Sequence, residues 1–342
     1  MFAAVAESTL GRMRPSMNTP ILRFEDLSLG LPRPGGNRLL VDRLSLELHA
    51  GEMLGIVGES GSGKTLTALA ALRLLPPPVR RIAGSVRFGE TDLESLSNHA
   101  LRALRGGDIA MIFQDPMTSL NPVLTVGRQI EESVRLHQGL AGSAARTAVV
   151  DALAKVRIPD PERRADQYPH ELSGGMRQRA MIALALAGGP KVLLADEPTT
   201  ALDVTVQAQI LSLLSDLRKE TGLAVLFITH DLGVVAQTCD RVAVMYSGRV
   251  MEVADTADLF ARPGHPYTRG LLRSLPESVE PGQPLSFIPG QPPLMPGTDA
   301  GCPFRTRCNE ALSGTCEREV PEQRFASGRR VRCHLPIEGA TC

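Results

Sequence analysis

"GESGSGKT", Gly58 to Thr65, decides how the rest of this chain is read. It matches G-x-x-x-x-G-K-[ST] in full, at the point where a short apolar run, "MLGIVG", gives way to a helix-forming run, "KTLTALAALRLL". Gly58, Gly61 and Gly63 let backbone N–H groups turn inward around phosphate oxygens, and the start of a helix adds a favourable dipole. Lys64 has the reach for β- and γ-phosphates, and the Thr65 hydroxyl suits Mg²⁺. The nucleotide-binding set is therefore Gly58, Glu59, Ser60, Gly61, Ser62, Gly63, Lys64 and Thr65. This motif identifies a nucleotide site and leaves kinases, GTPases and ATPases open.

Outward from the loop, strands and helices alternate. "ILRFEDLSLGL" and "LLVDRLSLELHAG" read as β-runs around the turn signal "PRPGGN", and Pro76-Pro77-Pro78 stops the helix after the loop. "IAMIFQD", "KVLLAD" and "AVLFITH" read as short buried strands, and "VAVMYSGRVMEV" as a hairpin. Between them lie amphipathic helices, "VGRQIEESVRLHQGL" and "AARTAVVDALAKV", then "GGMRQRAMIALALA" and "TVQAQILSLLSDLRKET". The pattern predicts an α/β fold with a mainly parallel sheet and a helical subdomain inserted over about 116–180. Beyond about Arg262 the chain turns Pro- and Gly-rich and reads as a second, small domain.

The strand "KVLLADE" narrows the chemistry. It ends on Asp196, which suits Mg²⁺ held through water, followed directly by Glu197. One acid for the metal and one to polarise water suits hydrolysis better than transfer to an organic acceptor. The 37 Lys and Arg balance 37 Asp and Glu, so no bulk basic field favours nucleic acid or an anionic membrane. The most apolar run, "AMIALALAGGPKVLLA", is broken by Gly188, Gly189, Pro190 and Lys191, far short of the roughly 20 residues of a span. The first 19 residues have no basic lead before their apolar patch and read as a frayed tail, with Met13 or Met17 as alternative starts.

Taken together, these residues resemble the ATP-binding cassette (ABC) ATPases, P-loop NTPases with an inserted signature subdomain, over residues 20–261. "GESGSGKT" is similar to their Walker A, "LSGGM" to their signature and "VLLADE" to their Walker B. Gln114 in "FQDP" matches the Q-loop, Asp203 in "ALD" the D-loop and His230 in "ITHD" the H-loop, all in the family's order. The resemblance implies that Ser173, Gly174, Gly175 and Met176 act in trans, on the γ-phosphate of ATP bound by an opposite subunit. It makes Glu197 the general base or water-positioning group, has His230 contact the γ-phosphate, and places Gln114 with Thr65 and Asp196 around Mg²⁺. Asp203 contacts the partner across the dimer, and Arg177 to Arg179 form a polar helix face.

"FQDPMTSLNPVLTVGRQI", "YPHELSGGMRQR", "GHPYTRGLL" and the tail "GCPFRTRC" further resemble the ATPase subunits of oligopeptide, dipeptide and nickel importers. The finer resemblance implies a peripheral subunit at the cytoplasmic face of the inner membrane. It implies a second ATPase, a paralogue in preference to an identical copy, with two transmembrane permease subunits and an extracytoplasmic substrate-binding protein. Peptides lead as cargo, with nickel chelates and opines as alternatives. A soluble ABC ATPase of DNA repair or translation is the rival, disfavoured by the short insertion and the single cassette. A degenerate scaffold is disfavoured because every catalytic position is filled. One departure stands out. Where the family stacks adenine on an aromatic ring this chain has Leu31, and no Phe, Tyr or Trp occurs between Phe24 and Phe88.

Five of the six cysteines lie between Cys302 and Cys342. Cys302, Cys308, Cys316 and Cys333 are spaced C-x5-C-x7-C-x16-C, unlike most zinc fingers or bacterial ferredoxins. Spacing alone leaves a 4Fe–4S cluster, a zinc ion and four unliganded thiols open; the importer resemblance implies the cluster, in a structural or regulatory role. Cys239, Cys342 and His334 read as ordinary.

Overall fold

Pro20–Leu31 (β1) and Arg38–His49 (β2) form where the β-runs lie in the sequence. Leu22 and Phe24 point inward and are buried, while Glu25 faces out, the alternation of a strand with one covered face. The alternation slips at Asp26, whose φ of 46° is left-handed and coincides with a register shift between Glu25 and Ser28. The computed structural model describes residues 19–114, 119–200, 202–276, 283, 286–293, 300–326 and 328–336. The tail over 1–18 and Cys342 lie outside the described residues.

Contacts divide the chain into two compact units, one of residues 1–48, 53–94 and 228–342, the other of 49–52 and 95–227. In the first unit, β1 pairs antiparallel with Arg80–Phe88 (β4), reached through Met53–Val57 (β3) and the helix Lys64–Ala71 (α1). Thr91–Asp92 (β5) closes that sheet, in the order β2-β1-β4-β5.

The second unit carries the helical segment. Asn98–Gly107 (α2), Val126–Gln138 (α3), Gly142–Lys155 (α4), Pro161–Ala165 (α5) and Gly174–Leu186 (α6) surround the strands Ile109–Ile112 (β6), Val192–Asp196 (β7) and Ala224–Ile228 (β8). α3 buries Val126, Ile130 and Val134, and α4 buries Ala145, Val149 and Leu153. That four-residue spacing keeps one helical stripe in the core. β6 and β7 pair in parallel, and every residue of β7 and β8 is buried, as strands covered on both faces require. Val204–Thr221 (α7) starts on the Asp203 cap and ends at Gly222, whose φ of 71° terminates the helix.

The rest of the first unit begins with Leu232–Thr238 (α8), Arg241–Tyr246 (β9) and Arg249–Asp255 (β10). β9 runs parallel to β3 and antiparallel to β10, so the parallel core gains an antiparallel flank. The short helices Thr256–Ala261 (α9) and Pro266–Arg273 (α10) follow. The cysteine-rich tail is less irregular than its composition suggests. Gln323–Ala326 (β11) and Arg329–Arg332 (β12) form a hairpin, and β12 pairs with β10. Cys239 is core, packed beside Gly55.

Candidate nucleotide site

The phosphate loop joins buried β3 to α1, and two of its glycines are obligatory. A Cβ on Gly58 would stand 2.1 Å from the Met245 carbonyl oxygen, with φ at 151°. Gly63 has φ 98° and would drive a Cβ to 2.8 Å from Val41 Cγ2. As the N-cap of α1, Gly63 offers no side chain to cap the helix. Lys64 is buried and donates from Nζ to the carbonyls of Gly58, at 2.7 Å, and Glu59, at 3.0 Å. The ammonium is thus held over the loop, where incoming phosphate oxygens can compete for it. Ser60 and Thr65 are exposed, whereas Ser62 is buried with an Oγ that has no hydrogen-bond partner.

His230 is exposed just past β8, after Thr229, whose N–H donates to the Ile56 carbonyl at 3.2 Å. Leu31 is half-buried at the end of β1.

In the second unit, Asp196 is buried at the end of β7 and Glu197 follows with φ 47°, a left-handed backbone rare for glutamate. Its Oε2 accepts from Gln114 Nε2 at 3.1 Å and from Thr200 Oγ1 at 2.8 Å. Gln114 therefore meets Glu197 directly through one of its two amide hydrogens, and its amide oxygen is the group able to face a cation.

The signature opens α6. Ser173 is its N-cap, and its Oγ accepts from Met176 N at 3.3 Å, so this hydroxyl serves its own helix. A Cβ on Gly174 would meet nothing within 4 Å, whereas one on Gly175 would stand 2.9 Å from Val206 Cγ1. The two glycines have different uses: Gly174 opens space, and Gly175 lets α6 approach α7. Asp203 caps α7 by accepting from Val206 N at 2.9 Å, so signature and D-loop lie side by side. Val204 beside it is strongly exposed.

The polar helix face over Arg177 to Arg179 needs correction at its centre. Gln178 is buried and donates to the Pro198 carbonyl, tying the signature helix to the turn behind Glu197. Arg179 donates to Val156 O at 2.9 Å and to Gln209 Oε1 at 3.0 Å.

The cysteine tail also departs from expectation. Cys302, Cys316 and Cys333 are buried and Cys308 half-buried. Burial, reinforced by the neighbouring thiols, pushes Cys302 up to about 11 and raises Cys308 and Cys333. Cys302 N donates to Cys316 O at 2.8 Å, and Leu312 N to Cys316 Sγ at 3.3 Å. Yet among the described residues no group of three or more His, Cys, Asp or Glu is placed to hold a metal ion. The 4Fe–4S expectation on these four residues is not supported. His334 bonds instead to the Glu319 carbonyl at 3.0 Å.

Sequence reasoning passed over Thr200, Gln178, Tyr267 and Arg307. Thr200 follows the quoted "KVLLADE" in a turn, and Gln178 lies within the quoted "GGMRQRAMIALALA", where a polar residue next to buried apolar ones was the available signal. Tyr267 and Arg307 lie within the quoted "GHPYTRGLL" and "GCPFRTRC", but nothing local marks their pairing with Glu59, far away in the chain. Among the described residues, no helix is long and apolar enough to cross a membrane.

Comparison with known proteins agrees with this geometry. The ABC transporter family matches residues 41–200, and the oligopeptide/dipeptide transporter C-terminal region matches residues 251–316. The oligopeptide transport ATP-binding protein OppD of Salmonella typhimurium is 47% identical over 324 residues, covering 95% of this chain and 96% of the relative. The dipeptide transport ATP-binding protein DppD of Haemophilus influenzae is 49% identical over 297 residues, covering 87% and 90%. Among solved structures, a dimeric ATP-binding cassette in a post-hydrolysis state with ADP and Pi superposes with a TM-score of 0.61 at 28% identity. It covers 69% of this chain and 98% of that one. cbiO1 from Clostridium perfringens, part of an ABC transporter complex, gives 0.62 at 28% identity, covering 71% and 92%. The chain belongs to the ATP-binding proteins of ABC transporters, and it carries their oligopeptide/dipeptide-type C-terminal region.

Proposed function

We propose that this chain is the ATP-hydrolysing, energy-coupling subunit of an importer for di- or oligopeptides. One observation carries the reading: a single chain holds two phosphate-directed segments, the loop 58–65 and the signature 173–176, where Gly174 opens onto free space. One nucleotide needs one of each, so each chain lends its signature to a partner. The similarity to OppD and DppD supports peptides as the cargo.

In this reading residues 20–261 form the ATPase domain and 262–342 the C-terminal domain. Gly58, Glu59, Ser60, Gly61, Ser62, Gly63 and Lys64 cradle the phosphates, and Lys64 leaves its carbonyl partners for phosphate oxygens. Thr65, Asp196 and Gln114 would hold Mg²⁺, which when bound offsets phosphate charge. Glu197 takes a proton from the attacking water, while the Thr200 and Gln114 bonds aim its Oε2. His230 contacts the γ-phosphate, Leu31 covers the adenine, and Asp203 meets the partner. Ser173, Gly174, Gly175 and Met176 close the partner's site. The partner ATPase is a paralogue, and the pair sits at the cytoplasmic face of the inner membrane on two permease subunits, fed by an extracytoplasmic binding protein.

The test is reconstitution of the chain with its permease, partner ATPase and binding protein in liposomes. Peptide in the binding-protein compartment should stimulate ATP hydrolysis. Stimulation by nickel chelates with none by peptides would overturn the cargo, and leave the ATPase role intact.

A further inference from the structure

The C-terminal segment reaches the phosphate loop through one side chain. Arg307 ends a 3-10 turn, Arg305–Arg307, between Cys302 and Cys308. Its side chain is only 5% exposed, and it grips Glu59, the second residue of the loop. Nη1 donates to Oε2 at 2.7 Å and Nη2 to Oε1 at 3.0 Å, the fork-on-carboxylate geometry that lysine cannot reproduce. Its other donors are also engaged: Nε to Pro289 O at 2.9 Å, Nη1 to the Tyr246 hydroxyl at 3.3 Å, and Nη2 to Ile288 O at 3.3 Å.

Glu59 is held on two further sides. Its N–H donates to the Tyr267 hydroxyl at 3.0 Å, and its carbonyl accepts from Lys64 Nζ at 3.0 Å. Tyr246, Tyr267 and Phe304 pack behind this contact with ring centroids 4.6 to 5.3 Å apart. Burial opposes the charge of Arg307, but the Glu59 carboxylate and the Tyr246 hydroxyl outweigh it and hold the guanidinium above its ordinary value. The residue whose carbonyl anchors the phosphate-binding lysine is therefore fixed by two side chains that come after the last ATPase motif.

We propose that Arg307 is a positioning residue for the ATP site: its ion pair with Glu59 holds the phosphate loop in the shape that receives nucleotide phosphates. The proposal rests on the reading that residues 58–65 bind ATP. A loop already in its binding conformation orders nothing further when ligand arrives; a loop freed from Arg307 must be re-ordered by the nucleotide, at a cost in affinity.

The full-length protein is titrated with Mg-ADP, which binds without turnover, by calorimetry well below its melting temperature. Arg307→Lys and Glu59→Gln should each weaken ADP binding about threefold to tenfold, and the double variant should bind no more weakly than the weaker single one, since both cut the same link. Wild-type affinity in the single variants, or losses that multiply in the double variant, would overturn the proposal. If Arg307→Lys does not fold, Glu59→Gln alone decides, because it removes the carboxylate at a half-exposed position. Lys64→Ala separates the two readings. Loss of ADP binding there, with wild-type binding by Arg307→Lys, sinks the positioning role alone; retained binding by Lys64→Ala sinks the loop assignment and the positioning role with it.

Discussion

Glu197 combines a strained backbone with an acid aimed by two neighbours. A left-handed glutamate costs about 1–3 kcal/mol and persists only where its surroundings impose it. Here Gln114 and Thr200 both converge on Oε2, which points the carboxylate at one place. Glu197→Gln keeps the shape and removes the proton acceptor. Turnover should fall by at least about a hundredfold, and an ATP-bound dimer should accumulate on size-exclusion chromatography. Near-normal hydrolysis by this variant would remove Glu197 from its role. Leu31 makes a smaller claim. Dispersion from leucine lacks the ring stacking worth about 1 kcal/mol, so GTP should compete with ATP better than in aromatic-bearing relatives. Leu31→Tyr should sharpen the preference for ATP about fivefold in competition binding; an unchanged ratio would show that adenine does not lie there.

At the scale of elements, the start of α6 makes a separable prediction. Gly174 faces open space and Gly175 faces Val206 on α7. Gly174→Asp should therefore fold normally yet lose ATPase activity, because a carboxylate would meet the partner's γ-phosphate. Gly175→Ala should instead lower the melting temperature, because the helices must part by tenths of an ångström. Equal melting temperatures for the two would contradict this division of labour. The start of α10 titrates. His265 is buried, Nδ1 accepts from Tyr267 N at 2.9 Å, and burial holds its pKa down to about 3. The unfolded imidazole titrates near 6.5, so the folded state favours the neutral form. Its contribution is complete above pH 6.5 and is lost as the pH falls from there toward 3. Over the first 1.5 units the loss is about 2 kcal/mol. Urea unfolding at pH 7 and pH 5 should show that loss in the wild type and a flatter profile in His265→Gln, a comparison in which the raised Glu252 carboxyl cancels.

For the whole molecule, the division of the phosphate-directed segments sets a stoichiometry. If each site is completed by a second chain, ATPase activity of this chain mixed one to one with its partner ATPase should fall per chain on dilution below the dimer dissociation constant, and rate should vary with the square of concentration there. A strictly linear dependence through dissociation, followed in parallel by light scattering, would exclude the shared site.

The sequence by itself determined the phosphate loop, the acid pair after "KVLLA", the signature, the strands β1–β3 and β6–β10 and the helices α1, α3, α4, α6 and α7, but not the strands β4, β5, β11 and β12 or the helices α2, α5, α8, α9 and α10. Those features are local: a glycine pattern, an apolar run or a cap depends on residues a few positions apart, and the backbone answers to them directly. Even the inner strands were legible, since β8 is apolar throughout and β7 is apolar up to its terminal Asp196. Only the tertiary structure decided which side chains meet. Gln114 and Glu197 are 83 residues apart, and Arg307 and Glu59 are 248 apart. The same holds for the cysteines, whose spacing left a cluster open and whose packing among the described residues did not provide one. Such pairings carry no local propensity. They exist because the packing of strands and helices brings two distant backbones to a fixed separation, and a side chain of the right length then spans it.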